Sequence, residues 1–444
     1  MKKKLLAGIL ALALCSANIL PQTVFAEEFT SGNPEEVSEE ETPEVFTDEN
    51  QESAGETEEE LSVFSEGTSE FEDNNNETNK PNEEPQIVDV DLTSNSITGN
   101  VYTITSGDTA YRFTSNGKET SNRIKLSDTI NAAKPICIYL KNVNIKTSEG
   151  PALRIPANLN ADVHIYLEGE NILETSNRDS AALQKENTSE LIINNVPNSA
   201  GSLIAAAINT DTSTETGVQK ILAWGAGIGG GANQKGSNIT INGGSITASS
   251  TVGAGIGGGG YTGGNGEKIS INGGTITAKA GTGAGIGGGE LCHGSNITIK
   301  NGFVTADSAI GAGIGGGANG YGKDITIENG SITADSSFGA GIGGGYLKNG
   351  NNIIISNSLV SASSDRGDSI GGGDESETSS NITISSGSVK AAKLGCQPKN
   401  GSNQEVYRCT IENPEKAEVT IKTKTGQEWQ WNPVNHSSVR SEER

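Results

Sequence analysis

The chain has 444 residues, a formal net charge of −24, 60 glycines and only 4% aromatic residues. Its acidity offers no basic patch to neutralise phosphates, so nucleic acid is not an expected partner. Past the N-terminal leader, no apolar run approaches the ~20 residues of a membrane span, and no transmembrane span is expected.

Met1 is followed by three lysines, an apolar run from Leu5 to Leu14, and then Val24-Phe25-Ala26. A basic head, an apolar middle and small residues before a cut describe a secretory signal peptide, read here as residues 1–26. The mature protein is expected to be secreted, extracellular or loosely associated with a cell surface. From Glu27 to Val90 there are 23 acidic residues and one basic residue, Lys80, giving −22 of the total charge. Residues 27–86 cannot bury enough apolar surface to offset the entropy of ordering, and a disordered acidic linker is expected. Without the leader's Cys15, four cysteines remain: Cys137, Cys292, Cys396 and Cys409. Cys396 and Cys409 are close enough in sequence to pair. The pairing of the others is open, and the absence of a CxxC gives a zinc site little support.

Short strand-like runs at Val101-Tyr102-Thr103-Ile104 and Tyr111-Arg112-Phe113 suggest an N-terminal cap with first strands over residues 87–130. In residues 131–222, Ile136 to Leu140, Val163 to Leu167 and Leu191 to Ile193 each lead through a polar turn to a second strand. The first members recur every 27 to 28 residues, so these are irregular coils of a repeat.

The repeat is plain in residues 223–395. GAGIGGG stands at Gly225, Gly253, Gly283, Gly311 and Gly339, and as GDSIGGG at Gly367, with spacings of 28, 30, 28, 28 and 28 residues. Fixed periods of this size mark stacked architectures. Each heptad is followed by a variable loop and a segment close to N-I-T-I-N-G-G-S-I-T-A. Period-two alternation puts Ile239 and Ile241 inward with Thr240 outward, and Ile246 and Ala248 inward with Thr247 outward. Three short strands per coil without helices predict an all-β, right-handed parallel β-helix (solenoid) of about 28 residues per coil. Ile239, Ile269, Ile297, Ile325, Ile353 and Ile382 form one predicted interior column. Ile228, Ile256, Ile286, Ile314, Ile342 and Ile370 form another. The turn column Gly243, Gly273, Asn301, Asn329, Asn357 and Ser386 is expected at positive φ. The heptad glycines are expected to point outward as a flat face almost without side chains, or else to serve tight backbone geometry. Residues 396–444 read as a C-terminal cap and tail, with Trp429 and Trp431 either covering the last coil or exposed for binding.

GAGIGGG with N-I-T-I-N-G-G-S-I-T-A, Leu140 to Ser148 with Gly150-Pro151-Ala152-Leu153, and Asn403 to Tyr407 resemble secreted and surface proteins of Gram-positive bacteria. These are described as carbohydrate-binding domain-containing proteins with a pectin-lyase-like right-handed β-helix. The resemblance covers about Ile136 to Ile411. It implies a carbohydrate ligand, while fold alone does not imply function.

Two binding faces follow from the residues. One is a hydroxyl lattice of outward threonines, including Thr240, Thr298 and Thr326 in one column and Thr247 in the other. The second is the loop edge after the glycines, with Tyr261, His293, Tyr321 and Tyr346, where tyrosine rings suit sugars. No catalytic residues are expected, since neither a nucleophile–base pair nor a paired-acid site emerges. No cofactor is expected either. Asp307 and Asp335 share a column in adjacent coils and are the candidates for a Ca²⁺ site, with solvated surface acids as the alternative. The reading is a non-enzymatic carbohydrate-binding protein. An adhesin for host or neighbouring-cell glycan or protein is the alternative, and a polysaccharide lyase or hydrolase the third.

Overall fold

The computed structural model describes residues 86–208, 222–377, 379–384 and 387–395, and the backbone of the strands Cys409–Ile411, Val419–Lys422 and Glu428–Trp431. The expected signal peptide, most of the expected acidic linker, Ser386, Cys396, the Asn403 to Tyr407 segment, the expected C-terminal tail and the side chains of Cys409, Trp429 and Trp431 lie outside the described residues.

The chain winds into a solenoid of three parallel sheets. Sheet 1 runs from Ile87–Asp91 through Ala110–Thr114, Ile136–Lys141 and Leu191–Asn195 to the regular strands Gly236–Ile241, Gly266–Ile271, Gly294–Ile299 and beyond. Sheet 2 carries the S-I-T-A strands, such as Ser245–Ser250, Thr275–Ala280 and Phe303–Ser308. Val163–Thr175 runs unbroken through the corner and joins the two, giving 23 strands among the described residues. Sheet 3 has ten strands and narrows to Ile-Gly pairs such as Ile228–Gly229 and Ile314–Gly315. Among the described residues every strand pairing is parallel except that of Val419–Lys422 with Glu428–Trp431. Val101–Ile104 and Ala110–Thr114, expected as capping strands, are themselves rungs of sheets 3 and 1.

Both predicted isoleucine columns are interior, buried from the first coil to the last, and Ala226 and its counterparts are buried outside that isoleucine cluster. β-branched side chains have one favoured rotamer and stack well between strands. Burial of one isoleucine stabilises by roughly 2 kcal/mol. A single coil cannot bury that surface alone, so neighbouring coils hold each other.

Two details depart from the sequence reading. In the expected turn column, positive φ falls on Asn329 and Asn357. In the earlier coils it falls one residue later, on Gly244, Gly274 and Gly302. A second column of left-handed residues interrupts each N-I-T-I strand at its first residue: Asn238, Lys268, Asn296, Asp324, Asn352 and Asn381, with φ between 53° and 56°. Asn and Asp tolerate that region, whereas Lys268 occupies it at a cost in strain.

Serine hydroxyls, three of them buried and Ser364 half-buried, tie sheet 2 to the heptads. Ser250 donates to the Gly225 carbonyl at 2.6 Å, Ser308 to Gly283 at 2.7 Å, Ser336 to Gly311 at 2.7 Å and Ser364 to Gly339 at 2.6 Å. Ala280 occupies this column between Ser250 and Ser308, and the Gly253 carbonyl lacks the matching donor. Ala280→Ser is expected to stabilise its coil by about 1 kcal/mol. Slower amide hydrogen exchange across Thr275–Ala280 would register the gain, and unchanged exchange would contradict it.

Candidate functional site

The heptad is a closed loop. The Ala226 amide donates to the Gly230 carbonyl at 2.9 Å, and the same bond recurs at Ala254, Ala284, Ala312 and Ala340. The residue before one heptad lies beside the residue after the heptad of the next coil. Gly260 donates to the Trp224 carbonyl at 2.7 Å, Tyr346 to Ile310 at 3.1 Å and Asp374 to Phe338 at 2.8 Å. This contact makes one edge of the solenoid from the flanks of every heptad.

Aromatic rings and cations collect along that edge. The Arg178 guanidinium lies 3.7 Å from the centre of the Trp224 ring, and the Tyr261 ring is 4.3 Å from Trp224. Further along, His293 and Tyr321 are 5.2 Å apart, with the Lys348 ammonium 5.0 Å from the Tyr321 ring centre. Phe338 meets Tyr346 edge-on at 6.0 Å, and Arg366 stands 4.4 Å over Phe338. From Arg178 to Arg366 is six rung steps, about 29 Å at ~4.8 Å per strand.

Of the four predicted loop residues, only His293 and Tyr321 touch each other; Tyr261 and Tyr346 find partners that the loops alone did not suggest. Trp224 and Phe338 carry a signal in the sequence, since both stand immediately before a heptad. Tyr261 occupies the second loop position at φ +72°, where Asn233 and Asn319 stand in other coils. A bulky residue in that region is strained and needs surroundings that hold it, here the Trp224 ring. Tyr261 and Tyr321 remain 41% and 38% exposed.

His293 Nδ1 accepts the Tyr321 amide hydrogen at 3.1 Å, which places the proton of the neutral ring on Nε2. Burial, followed by Lys323 and Lys348, pulls its pKa below the usual value, so it stays neutral. The neighbouring Cys292 thiol donates to the Tyr261 carbonyl at 2.6 Å. Burial pushes its pKa up, as it does for Cys137. Both are free thiols.

The hydroxyl lattice is present but interrupted. Thr240, Ser270, Thr298 and Thr326 stand in file on the outer face of sheet 1, followed by the exposed Ile354. Thr240 spends its hydroxyl hydrogen on Glu190 at 2.6 Å. On sheet 2, Thr247, Thr277, Thr305 and Thr333 are in file. The next column holds Phe303 and Leu359, 67% and 58% exposed. Asp307 and Asp335 are adjacent as expected, flanked in file by Lys279 and Ser363. Lost hydration, opposed by Lys279 and reinforced by Asp335, raises the Asp307 pKa. Among the described residues no three His, Cys, Asp or Glu side chains converge on one point.

Sequence reasoning passed over Tyr139 and Tyr166, which stack at 4.8 Å on the outer face of sheet 1 with His164 alongside. Their signal is the shared outward position in Ile136 to Leu140 and Val163 to Leu167. Two shallow depressions of about 270 and 360 Å³ lie over the first coils, lined mainly by polar side chains such as Lys146, Glu149, Asn144 and Glu170.

Among the described residues no helix is long and apolar enough to cross a membrane. Residues 239–260, 269–290, 297–318 and 325–346 match the family model described as Beta helix repeat. No curated protein and no solved structure matches the chain. Each matched block runs from the interior isoleucine of sheet 1 to the first residue after a heptad, and three parallel sheets carry that unit through successive coils: the chain is a parallel β-helix protein.

Proposed function

We propose that this is a secreted or cell-surface protein that binds an extended polysaccharide along the heptad-flanking edge, without turnover. The observation that carries the reading is the file of exposed and half-buried rings and cations from Arg178–Trp224–Tyr261 through His293–Tyr321–Lys348 to Phe338–Tyr346–Arg366. A ring face takes the apolar side of a sugar, while phenol, imidazole and ammonium groups take its hydroxyls. Repeating sites at strand spacing suit a repeating ligand lying parallel to the solenoid axis. The leader-like Met1 to Ala26 supports export.

The test is binding of the full chain to a polysaccharide array. Trp224→Ala and Tyr321→Ala are each expected to weaken the best ligand about tenfold, as for truncated aromatic anchors. Thr247→Val and Thr305→Val, on sheet 2, are expected to leave it unchanged. Circular dichroism checks that the variants fold. Threonine variants that abolish binding, with aromatic variants that do not, would move the site to the hydroxyl lattice. Release of unsaturated sugar ends from polygalacturonate would defeat the reading without turnover.

A further inference from the structure

We infer that the ligand is an acidic polysaccharide, and that Lys323 and Lys348, beside His293 and Tyr321, form its anion-binding subsite; this rests on the polysaccharide reading above. Lys323 is exposed on the sheet 1 strand that begins directly after Tyr321. Lys348 comes from the next coil and hangs over the Tyr321 ring. Among the described residues neither ammonium takes part in a salt bridge, while seven other pairs are matched.

The acid facing the imidazole is already paired, and Asp374 and Glu375 act on Tyr346. Glu267, which faces His293, is bonded to Lys235 at 3.2 Å. Glu290 is half-buried, and burial raises its pKa against the opposing effect of Thr282. The formal −24 of the chain is concentrated in the segment from Glu27 to Val90, away in sequence from these coils. Both lysines lower the His293 pKa, so their field reaches the imidazole. His293 Nδ1 is occupied by the Tyr321 amide, leaving Nε2–H as a donor. Two ammonium groups, an imidazole N–H and the Tyr321 hydroxyl thus form a set dominated by donors. It matches a carboxylate or phosphate on a sugar whose ring lies against the Tyr321 face.

The experiment uses the full chain and two matched groups of polymers. The acidic group is polygalacturonate, alginate, hyaluronate and poly(glycerol phosphate). The neutral group is fully methyl-esterified polygalacturonate, dextran and galactan. At least one acidic polymer is expected to bind at least tenfold more tightly than its neutral counterpart, with affinity falling as salt rises. Lys323→Gln and Lys348→Gln are each expected to weaken it by about threefold to fivefold, the range of exposed ion pairs. Lys300→Gln, just past the end of the sheet 1 strand Gly294–Ile299, serves as the control for net charge. Equal binding of both groups, or binding of neutral polymers alone, overturns the inference and leaves the polysaccharide reading standing. Binding of no polymer in either group overturns both. Equal losses from Lys300→Gln and Lys348→Gln overturn the subsite.

Discussion

Gly315→Ala, a change of one methyl group, is expected to open the solenoid locally at a cost of about 4 kcal/mol. Gly315 adopts φ +137°, and a Cβ built there lies 2.0 Å from the Gly343 carbonyl oxygen of the next coil. That carbonyl accepts the Gly316 amide at 2.9 Å. The added methyl must displace a backbone ladder or take up a conformation that L side chains rarely adopt. The conformation costs about 2–3 kcal/mol, and a lost ladder bond adds about 1 kcal/mol. The same geometry recurs at Gly229, Gly257, Gly287, Gly343 and Gly371, with φ between 135° and 139°.

Because each coil is held by its neighbours, the damage should appear as local opening before global unfolding. Amide exchange is expected to accelerate in the rungs around Ile286–Gly287, Ile314–Gly315 and Ile342–Gly343. The control is Gly243→Ala. Its φ is outside the left-handed region and a Cβ there meets nothing within 4 Å, so it should be neutral or slightly stabilising. If Gly315→Ala kept wild-type exchange and the same denaturant midpoint as Gly243→Ala, the heptad geometry argued above would be wrong.

This corrects one reading of the heptads. Outward glycines were expected to make a flat, open face. Instead Gly227, Gly255, Gly285 and Gly313 are buried, and a Cβ on any of them falls within 2.7 Å of neighbouring backbone. Gln at those four positions would collide with the sheet 2 strands and adjacent heptads. Inside and outside were legible from alternation in the N-I-T-I and S-I-T-A strands because each side chain there has a definite face. A run of glycines carries no such pattern. The sequence could show that the backbone needed glycine, but not whether solvent or another strand took the space.

The candidate edge was legible to a similar depth. Tyr261, His293, Tyr321 and Tyr346 were placed on one edge by their position after the heptads. Trp224 and Phe338 were missed because their neighbourhood depends on the heptad closing on itself, through the amide of Ala226 or Ala340. Nothing in linear spacing brings the residue before a seven-residue loop beside the loop that follows the next one. The left-handed column at Asn238, Asn296 and Asn381 was missed for a different reason. It sits inside what alternation describes as a strand, and only the recurrence of Asn or Asp at that point announces it. Lys185 was passed over altogether. It pairs in register with the interior Ile155, where an apolar residue is the natural choice.

That lysine carries the other large expected effect. Lys185 is 1% exposed, and its ammonium donates to the Asn187 backbone carbonyl at 2.8 Å. Burial pulls its pKa from 10.5 down to about 8, with Asp162 and Glu190 opposing the fall. The folded state therefore binds the proton less tightly than the unfolded chain. Between pH 8 and 10.5 the unfolded state holds more protons, so stability must rise with pH across that window. Below pH 8 the full cost is present, about 3 kcal/mol at ~1.36 kcal/mol per unit. Lys185→Met keeps much of the volume and removes the charge. It also strips the Asn187 carbonyl of its donor, worth about 1 kcal/mol. The net expectation at pH 7 is a gain of about 2 kcal/mol, shrinking to nothing or reversing by pH 10.5. Denaturant titrations of both proteins from pH 6 to 10.5 provide the check, because the difference between them cancels every other titrating group. A variant less stable at pH 7, or a difference independent of pH, would show that the ammonium is solvated or paired in the fold. The gain is expected because a buried cation held by one carbonyl has lost more hydration than that bond returns.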